Sequence, residues 1–381
     1  MLFNRKEEYK FLLNKRRGEI EARDIELLEN RDKKRYILIK VKSRTITTEF
    51  GNLTFDRHIY KHYIKKKWKY IALIDEELKL KKWSKLDLNL VELIKEQLGT
   101  GKRYRDIIDM FPEAKLSLMT ISRIFKSIKN EDKRNKVERK ISLVDKQRVY
   151  IFVDDAFVNV DRFKNKYKWR KLKINKDTQI RVVSFCTGFD IKTIHKKRRK
   201  LKDKRTTFFI GKDEKLTTEK LAIRIYELGC NFYDNFENAK LVVGGDGAIW
   251  IKELASFIGA NYILDRFHAV REFRKLFLFN GKYHGKELFR IAINLFYSGN
   301  YKELIQLLEI EAPKEVFKYF KNNRIGIINQ SAEWNIGVSA ESEVSRLVKS
   351  ALGYGSKVYS LIVLKNMLNE RAYKLNNNLI F

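Results

Sequence analysis

Three short apolar runs beyond residue 148 each stop on an aspartate. Val149-Tyr150-Ile151-Phe152-Val153 is closed by Asp154, Leu241-Val242-Val243-Gly244-Gly245 by Asp246, and Asn261-Tyr262-Ile263-Leu264 by Asp265. Their length and residue types read as strands, and helical patterns over residues 217–230, 248–257 and 268–279 alternate with them. Strands are also expected at 148–154 and through about 167–189, and helical pattern continues to about 325 with a last helix from about 340. This alternation after a hairpin-like start argues for an α/β domain with a mixed sheet.

Composition limits the partners. The chain has 381 residues, 44% of them hydrophobic, enough to bury a substantial core. Lys and Arg number 81 against 48 Asp and Glu, a formal net charge of +33. Such a field favours polyanions, with nucleic acid first, although a Lys-rich proteome would contribute to it. Cys186 and Cys230 lack a C-x-x-C partner, which argues against a zinc ribbon or a disulfide framework. No apolar run reaches the ~20 residues of a membrane span and no secretory h-region follows Met1, so a cytoplasmic, nucleoid-associated protein is expected.

Residues 1–35 read as a charged helix. Over 36–86 short β-prone runs follow, and those flanking Gly51-Asn52 suggest a hairpin whose outer face carries Arg57, His58, Lys61 and His62, suited equally to phosphates or to solvent. Residues 87–147 read as three helices and a charged linker. Gly99 ends the first helix, the second stops before Pro112, and Ser117 caps the third. Opposite the apolar stripe of the third helix lie Thr120, Ser122, Arg123 and Lys126. This is the layout of a helix-turn-helix that reads a major groove, and a plain helical bundle would share the spacing.

The acids carry the chemistry. Phosphodiester cleavage is served by two divalent cations ~3.5–4 Å apart, and magnesium takes oxygen ligands. Adjacent strand ends, ~4.8 Å apart, bring carboxylates together. Asp154 and Asp246 sit at such ends, and Glu341 opens a helical stretch that would reach them. Asp155 is the alternative to Asp154, although alternation sends it to the other sheet face. Asp265 and His268, three positions apart, share one side of a helix start. Taken singly, Asp246 and Asp265 also read as helix caps, and Glu341 as an acid serving the helix dipole. Two basic runs, one from Lys164 to Lys173 with Tyr167 and Trp169 and one from Lys196 to Arg205 with Arg198 and Arg199, suit strand handling. A solvated loop explains the second equally well.

Taken together the motifs resemble the bacterial ISLre-type insertion-sequence transposases of the Mutator-like DDE group. The resemblance rests on Tyr150-Ile151-Phe152-Val153-Asp154-Asp155, Gly245-Asp246-Gly247-Ala248 with Trp250-Ile251, Leu264-Asp265-Arg266-Phe267-His268, and Gly337-x-Ser339-Ala340-Glu341 with Val344-Ser345. Upstream, Leu98-Gly99-Thr100-Gly101, Tyr104-Arg105-Asp106-Ile107 and Met119-Thr120-Ile121-Ser122 are similar to the helix-turn-helix region of that family. It implies a ribonuclease H-like catalytic domain over 148–381 with a helical insertion at about 269–335. It also implies Asp154, Asp246 and Glu341 as a triad for Mg²⁺, or Mn²⁺, assisted by Asp265 and His268. The expected activity is cutting and joining of DNA at insertion-sequence ends and target by an oligomer of the chain. After Val344-Ser345 the chain departs from the family, with Arg346 and Ser350-Ala351-Leu352-Gly353-Tyr354 where histidines and Arg-Pro-Met-Gly-Trp-Ser are usual. The alternatives are a non-catalytic DNA-binding protein and a nuclease of the same fold.

Overall fold

The computed structural model describes residues 5–64, 67–128, 133–161, 174–190, 200–211, 217–279, 284–353 and 357–379. They form two compact units, Met1–Lys129 and Asn130–Phe381.

The first unit opens with α1 (Arg5–Asn30), followed by the antiparallel hairpin of β1 (Tyr36–Thr48) and β2 (Gly51–Ile64) and by β3 (Lys67–Ile71) against β2. The turn is Glu49-Phe50, two residues before the expected Gly-Asn position, and Gly51 enters β2 at φ +121°. Ile46, Leu53 and Phe55 pack on Ile20 of α1 and on Ala72, Ile74 and Leu80 in and around α2 (Leu73–Glu77). On α1, Glu21 and Asp24 accept the backbone N–H groups of Asp56 and His58 at 3.0 and 2.8 Å, which blunts an exposed strand edge.

The basic hairpin face expected from the sequence is not assembled. Alternation divides its residues between two faces, where Arg57 pairs with Asp75, His58 lies 2.7 Å from Asp24, and buried His62 contacts Arg35 at 3.0 Å.

Three helices complete this unit: α3 (Leu88–Glu96), α4 (Tyr104–Met110) and α5 (Leu118–Ser127). Gly99 adopts φ +94° beyond α3, Pro112 begins a 3₁₀ turn after α4, and the Ser117 hydroxyl caps α5 by accepting the Thr120 N–H at 3.1 Å. Ile121, Ile124 and Phe125 are buried, and α5 packs on α3 and α4. Arg123 and Lys126 are exposed, whereas Thr120 is half-buried beside Ser117. Ser122 is likewise half-buried, on the side of α5 toward Tyr104 of α4.

The second unit is mixed α/β. Its principal sheet has the order β12-β11-β5-β6-β9, built from β5 (Arg148–Asp161), β6 (Ile174–Cys186), β9 (Arg205–Ile210), β11 (Lys240–Gly245) and β12 (Asn261–Leu264). The segments β5, β6 and β9 run antiparallel, and β11 and β12 are parallel to β5. Outside this order, β4 (Ile141–Ser142) pairs with β10 (Tyr233–Asp234), β7 (Gly188–Phe189) with β8 (Leu201–Lys202), and β13 (Tyr359–Ser360) with the end of β5. The sequence reading places no strand at β9, whose six residues are all buried.

One face of the sheet buries Val149, Ile151, Val153 and Val243 under α6 (Thr218–Phe232) and α7 (Ile249–Phe257). The other buries Tyr150, Phe152, Val242 and Ile263 under the segment Trp334, Ile336, Val338 and Ala340. After β12 come α8 (Arg266–Phe273), a π-helical turn (Arg274–Leu278), α9 (Gly285–Tyr297), α10 (Tyr301–Glu311), α11 (Lys314–Asn322) and α12 (Arg324–Ile328). These helices have their own core, in which the Phe273 and Phe320 rings stack at 4.7 Å. The chain then returns through α13 (Ala340–Val344), a second π-helical turn (Ser345–Lys349) and α14 (Leu361–Asn376). The last helix expected from about 340 is thus two separate helices. Among the described residues no helix is long and apolar enough to cross a membrane.

Candidate active site

Asp154 lies in the middle of a long strand rather than at its end, because the two neighbours of β5 stop at different heights. On one side β6 stays paired through Asp161, while on the other β11 pairs only as far as Gly244 opposite Phe152. The parallel register therefore carries Asp246 out beside Asp154. Gly245 pairs with Leu264, so the same register brings Asp265 level with Asp246. The three aspartates form one row across the adjacent segments β5, β11 and β12, which lie ~4.8 Å apart.

Alternation decides which face is used. Asp154 follows Tyr150 and Phe152 onto the face covered by 334–340, and Asp155 follows Ile151 and Val153 onto the other. There Asp155 is engaged: Arg181 Nε donates to it at 2.9 Å and Gln179 Nε2 at 2.6 Å, with the Arg181 guanidinium 3.4 Å from the Trp250 ring centroid.

Glu341 comes from the covering segment. The Tyr150 hydroxyl donates to the Trp334 carbonyl at 2.5 Å, and Val338 lies over Gly244 so closely that a Cβ there would stand 2.6 Å from Val338 Cγ2. Glycine at 244 lets the segment lie flat on the sheet, which delivers Glu341 in the first turn of α13 to the row of aspartates. Its carboxyl comes within electrostatic reach of Asp154. Burial pushes the Asp154 carboxyl up to about 7, opposed by the Asp155 N–H at 2.8 Å and reinforced by the charges of Glu341 and Asp246. Burial also acts to raise Glu341, but Lys349, at 2.5 Å, outweighs it and holds Glu341 below its usual range. A regular α-helix returns to one face after seven residues, and Lys349 is eight beyond Glu341. The π-helical turn between them absorbs the extra residue.

Asp246 sits on a tight turn, its Oδ1 accepting the Ala248 N–H at 3.0 Å and its carbonyl the Tyr319 hydroxyl at 2.8 Å. Gly247 has φ +97°, and a Cβ there would stand 2.8 Å from the Tyr319 ring. Tyr319 of α11 thus ties the helical insertion to this turn. Asp265 is the N-cap of α8, accepting the Phe267 N–H at 3.0 Å, and its other oxygen lies 2.6 Å from His268 Nδ1. That bond, opposed by burial, raises the His268 pKa above its ordinary value, and the ring lies within electrostatic reach of Asp154 and Glu341. A cavity of ≈ 280 Å³ adjoins, lined by Asp246, His268, Arg271, Glu272, Glu315 and Tyr319.

Asp246, Glu341 and His268 therefore all lie within electrostatic reach of Asp154, with Asp265 behind His268. As the side chains stand, no group of three or more His, Cys, Asp or Glu among the described residues is arranged to hold a metal ion. The donor chemistry nonetheless suits a hard dication, since every acidic side chain offers oxygen and their like charges crowd one another. Lys349 and Tyr319 escape a sequence reading: neither has a local signal, and Lys349 lies off the α-helical spacing. Nearby, Lys204 Nζ donates to both oxygens of buried Glu343 at 2.8 Å. Arg205, the last cation of the second basic run, is also buried, whereas Arg198, Arg199 and the run from Lys164 to Lys173 lie outside the described residues.

A family model described as "Uncharacterised protein family (UPF0236)" matches residues 15–316. A UPF0236 protein of Caldanaerobacter subterraneus subsp. tengcongensis is 25% identical over 358 residues, covering 91% of this chain and 72% of that one. Another from the same organism is 26% identical over 375 residues, covering 94% and 74%. Among solved structures, the Drosophila P element transposase strand transfer complex aligns at 11% identity and a TM-score of 0.29, over 77% of this chain and 81% of that one.

Proposed function

This chain belongs to the UPF0236 family, and we propose that it is a DNA transposase that cuts and joins DNA strands at the site formed by Asp154, Asp246 and Glu341. The observation that carries the reading is that Glu341 and Asp246 both lie within electrostatic reach of Asp154, three acids from distant parts of the chain gathered over one sheet face. Three antiparallel strands in succession, followed by two parallel ones on the far side of the first, fit the ribonuclease H-like core that the sequence motifs imply. The +33 charge suits a DNA partner, and α4, its turn and α5, with Arg123 and Lys126 exposed, suit helix-turn-helix recognition.

In this reading Asp154, Asp246 and Glu341 would hold Mg²⁺ or Mn²⁺, which when bound activates the attacking hydroxyl and neutralises phosphate charge. The protein's own residues do the rest. Asp265 fixes the His268 ring by accepting its Nδ1–H, and in the protonated ring Nε2–H is left to donate to a phosphate oxygen. Lys349 steers Glu341, and Tyr319 holds the turn that carries Asp246.

The test uses duplexes bearing the DNA that flanks the coding sequence, incubated with the chain and Mg²⁺. Nicking and joining should occur with the wild type and be lost in D154N, D246N and E341Q, with DNA binding kept. Activity retained in all three would refute the assignment. The absence of a ready-made metal-holding group among the described residues favours one other reading, a DNA-binding protein without catalysis. It requires that the wild type cut no end sequence while binding DNA without metal.

A further inference from the structure

The three-stranded sheet of the first unit has an uncovered end that neither the catalytic site nor α5 uses. Alternation places Lys40 and Lys42 of β1, Ile59, Lys61 and Tyr63 of β2, and Trp68 and Tyr70 of β3 on one face. Farther along, that face is buried under α1 and α2, but here Tyr63, Trp68 and Tyr70 are 55%, 49% and 63% exposed. The Tyr63 and Trp68 rings lie 5.0 Å apart, and Lys61 Nζ stands 4.3 Å from the Trp68 centroid. A register shift between Leu38 and Lys40 inserts Ile39, which joins Lys40, Lys42, Ile59, Tyr70 and Lys82 in lining a cavity of ≈ 630 Å³. Of the two acids at this cavity, Asp75 is paired with Arg44 and Arg57, and Glu76 is exposed.

Aromatic rings exposed beside a row of lysines match what an unpaired nucleic-acid strand needs: flat surfaces on which bases stack, and cations spaced along its phosphates. A duplex hides its base faces and would leave these rings unused. We propose that this face binds single-stranded DNA, stacking bases on Trp68, Tyr70 and Tyr63 and holding phosphates with Lys40, Lys42, Lys61 and Lys82. The inference rests on reading the chain as a DNA-handling protein and gives it a second contact, for strands separated during cutting and joining. It is independent of the carboxylate site, so the two can fail separately.

The experiment measures fluorescence anisotropy of a labelled oligothymidylate with the full chain in EDTA, against a duplex of equal length. Trp68→Ala and Tyr70→Ala should each weaken single-strand binding roughly tenfold and leave duplex binding unchanged. Trp68→Phe should retain most of the affinity. Lys40→Gln with Lys42→Gln should flatten the salt dependence by about 1.4 in log–log slope, two single-strand phosphate contacts. Loss of folding in an alanine variant would leave Trp68→Phe and the lysine pair to decide. Folded alanine variants that bind as the wild type does, an equal loss on duplex, or an unchanged salt slope would overturn the proposal. If these variants lose single-strand binding while D154N does not, this inference stands even where strand transfer is not found.

Discussion

Replacing Gly244 by alanine tests how the fold delivers Glu341. The backbone permits the substitution, since Gly244 is not among the positive-φ glycines, but the new Cβ would stand 2.6 Å from Val338 Cγ2 and 3.1 Å from Ile263 and Phe152. Carbon contacts settle at ~3.5–4.0 Å, so the segment must lift by about 1 Å. Overpacking of this kind costs about 1–3 kcal/mol, offset in small part by the stiffer unfolded chain. Val338→Ala alone removes two methyl groups from a half-buried side chain, a loss of about 1 kcal/mol at ~0.8 per fully buried CH₂. In the double variant the alanine Cβ occupies the space Val338 vacates. It should therefore be no worse than Val338→Ala, and the two changes should couple by at least about 1 kcal/mol. Urea unfolding of the four proteins, compared at constant m, reads this directly. Additive losses would mean that Val338 does not rest on Gly244 and that the placement of Glu341 has another origin.

Three further outcomes follow from the same contacts. Glu343→Gln strands the Lys204 ammonium, only 14% exposed, and should cost about 3–5 kcal/mol, whereas Glu343→Leu with Lys204→Met should cost much less; equal losses in a thermal melt would contradict the buried pair. In EDTA the raised Asp154 pKa means that the folded chain holds a proton the unfolded chain has released. Stability should thus fall as pH rises from about 4 to about 7, and a D154N profile without that component is the check. Burial pushes the Cys186 thiol up to about 12, and Cys230 is only partly covered. One thiol of the native chain should react with a disulfide reagent at pH 8 and the second only after unfolding; two fast equivalents would be inconsistent with the core.

The site was legible in the sequence to the extent that its chemistry is local. The apolar run ending at Asp154 marks where β5 parts from β11, although the strand itself continues because β6 pairs with it on the other side. Alternation alone separated Asp154 from Asp155. Caps and glycines likewise marked α3, α4 and α5. What escaped depends on tertiary context. β9 follows directly on a cluster of charges and reads as loop, the π-helical turn that aligns Lys349 leaves no periodic signature, and the hairpin cations are consumed by Asp24 and Asp75 from other elements.

The central claim is that Asp154, Asp246 and Glu341 act as one cation cradle, and Mn²⁺ titration of the full chain followed by electron paramagnetic resonance addresses it without requiring a DNA substrate. Saturable binding should appear in the wild type, strengthen as pH rises through about 7 as Asp154 loses its proton, and be lost alike in D154N, D246N and E341Q. Unchanged binding in any one of the three variants would contradict the claim.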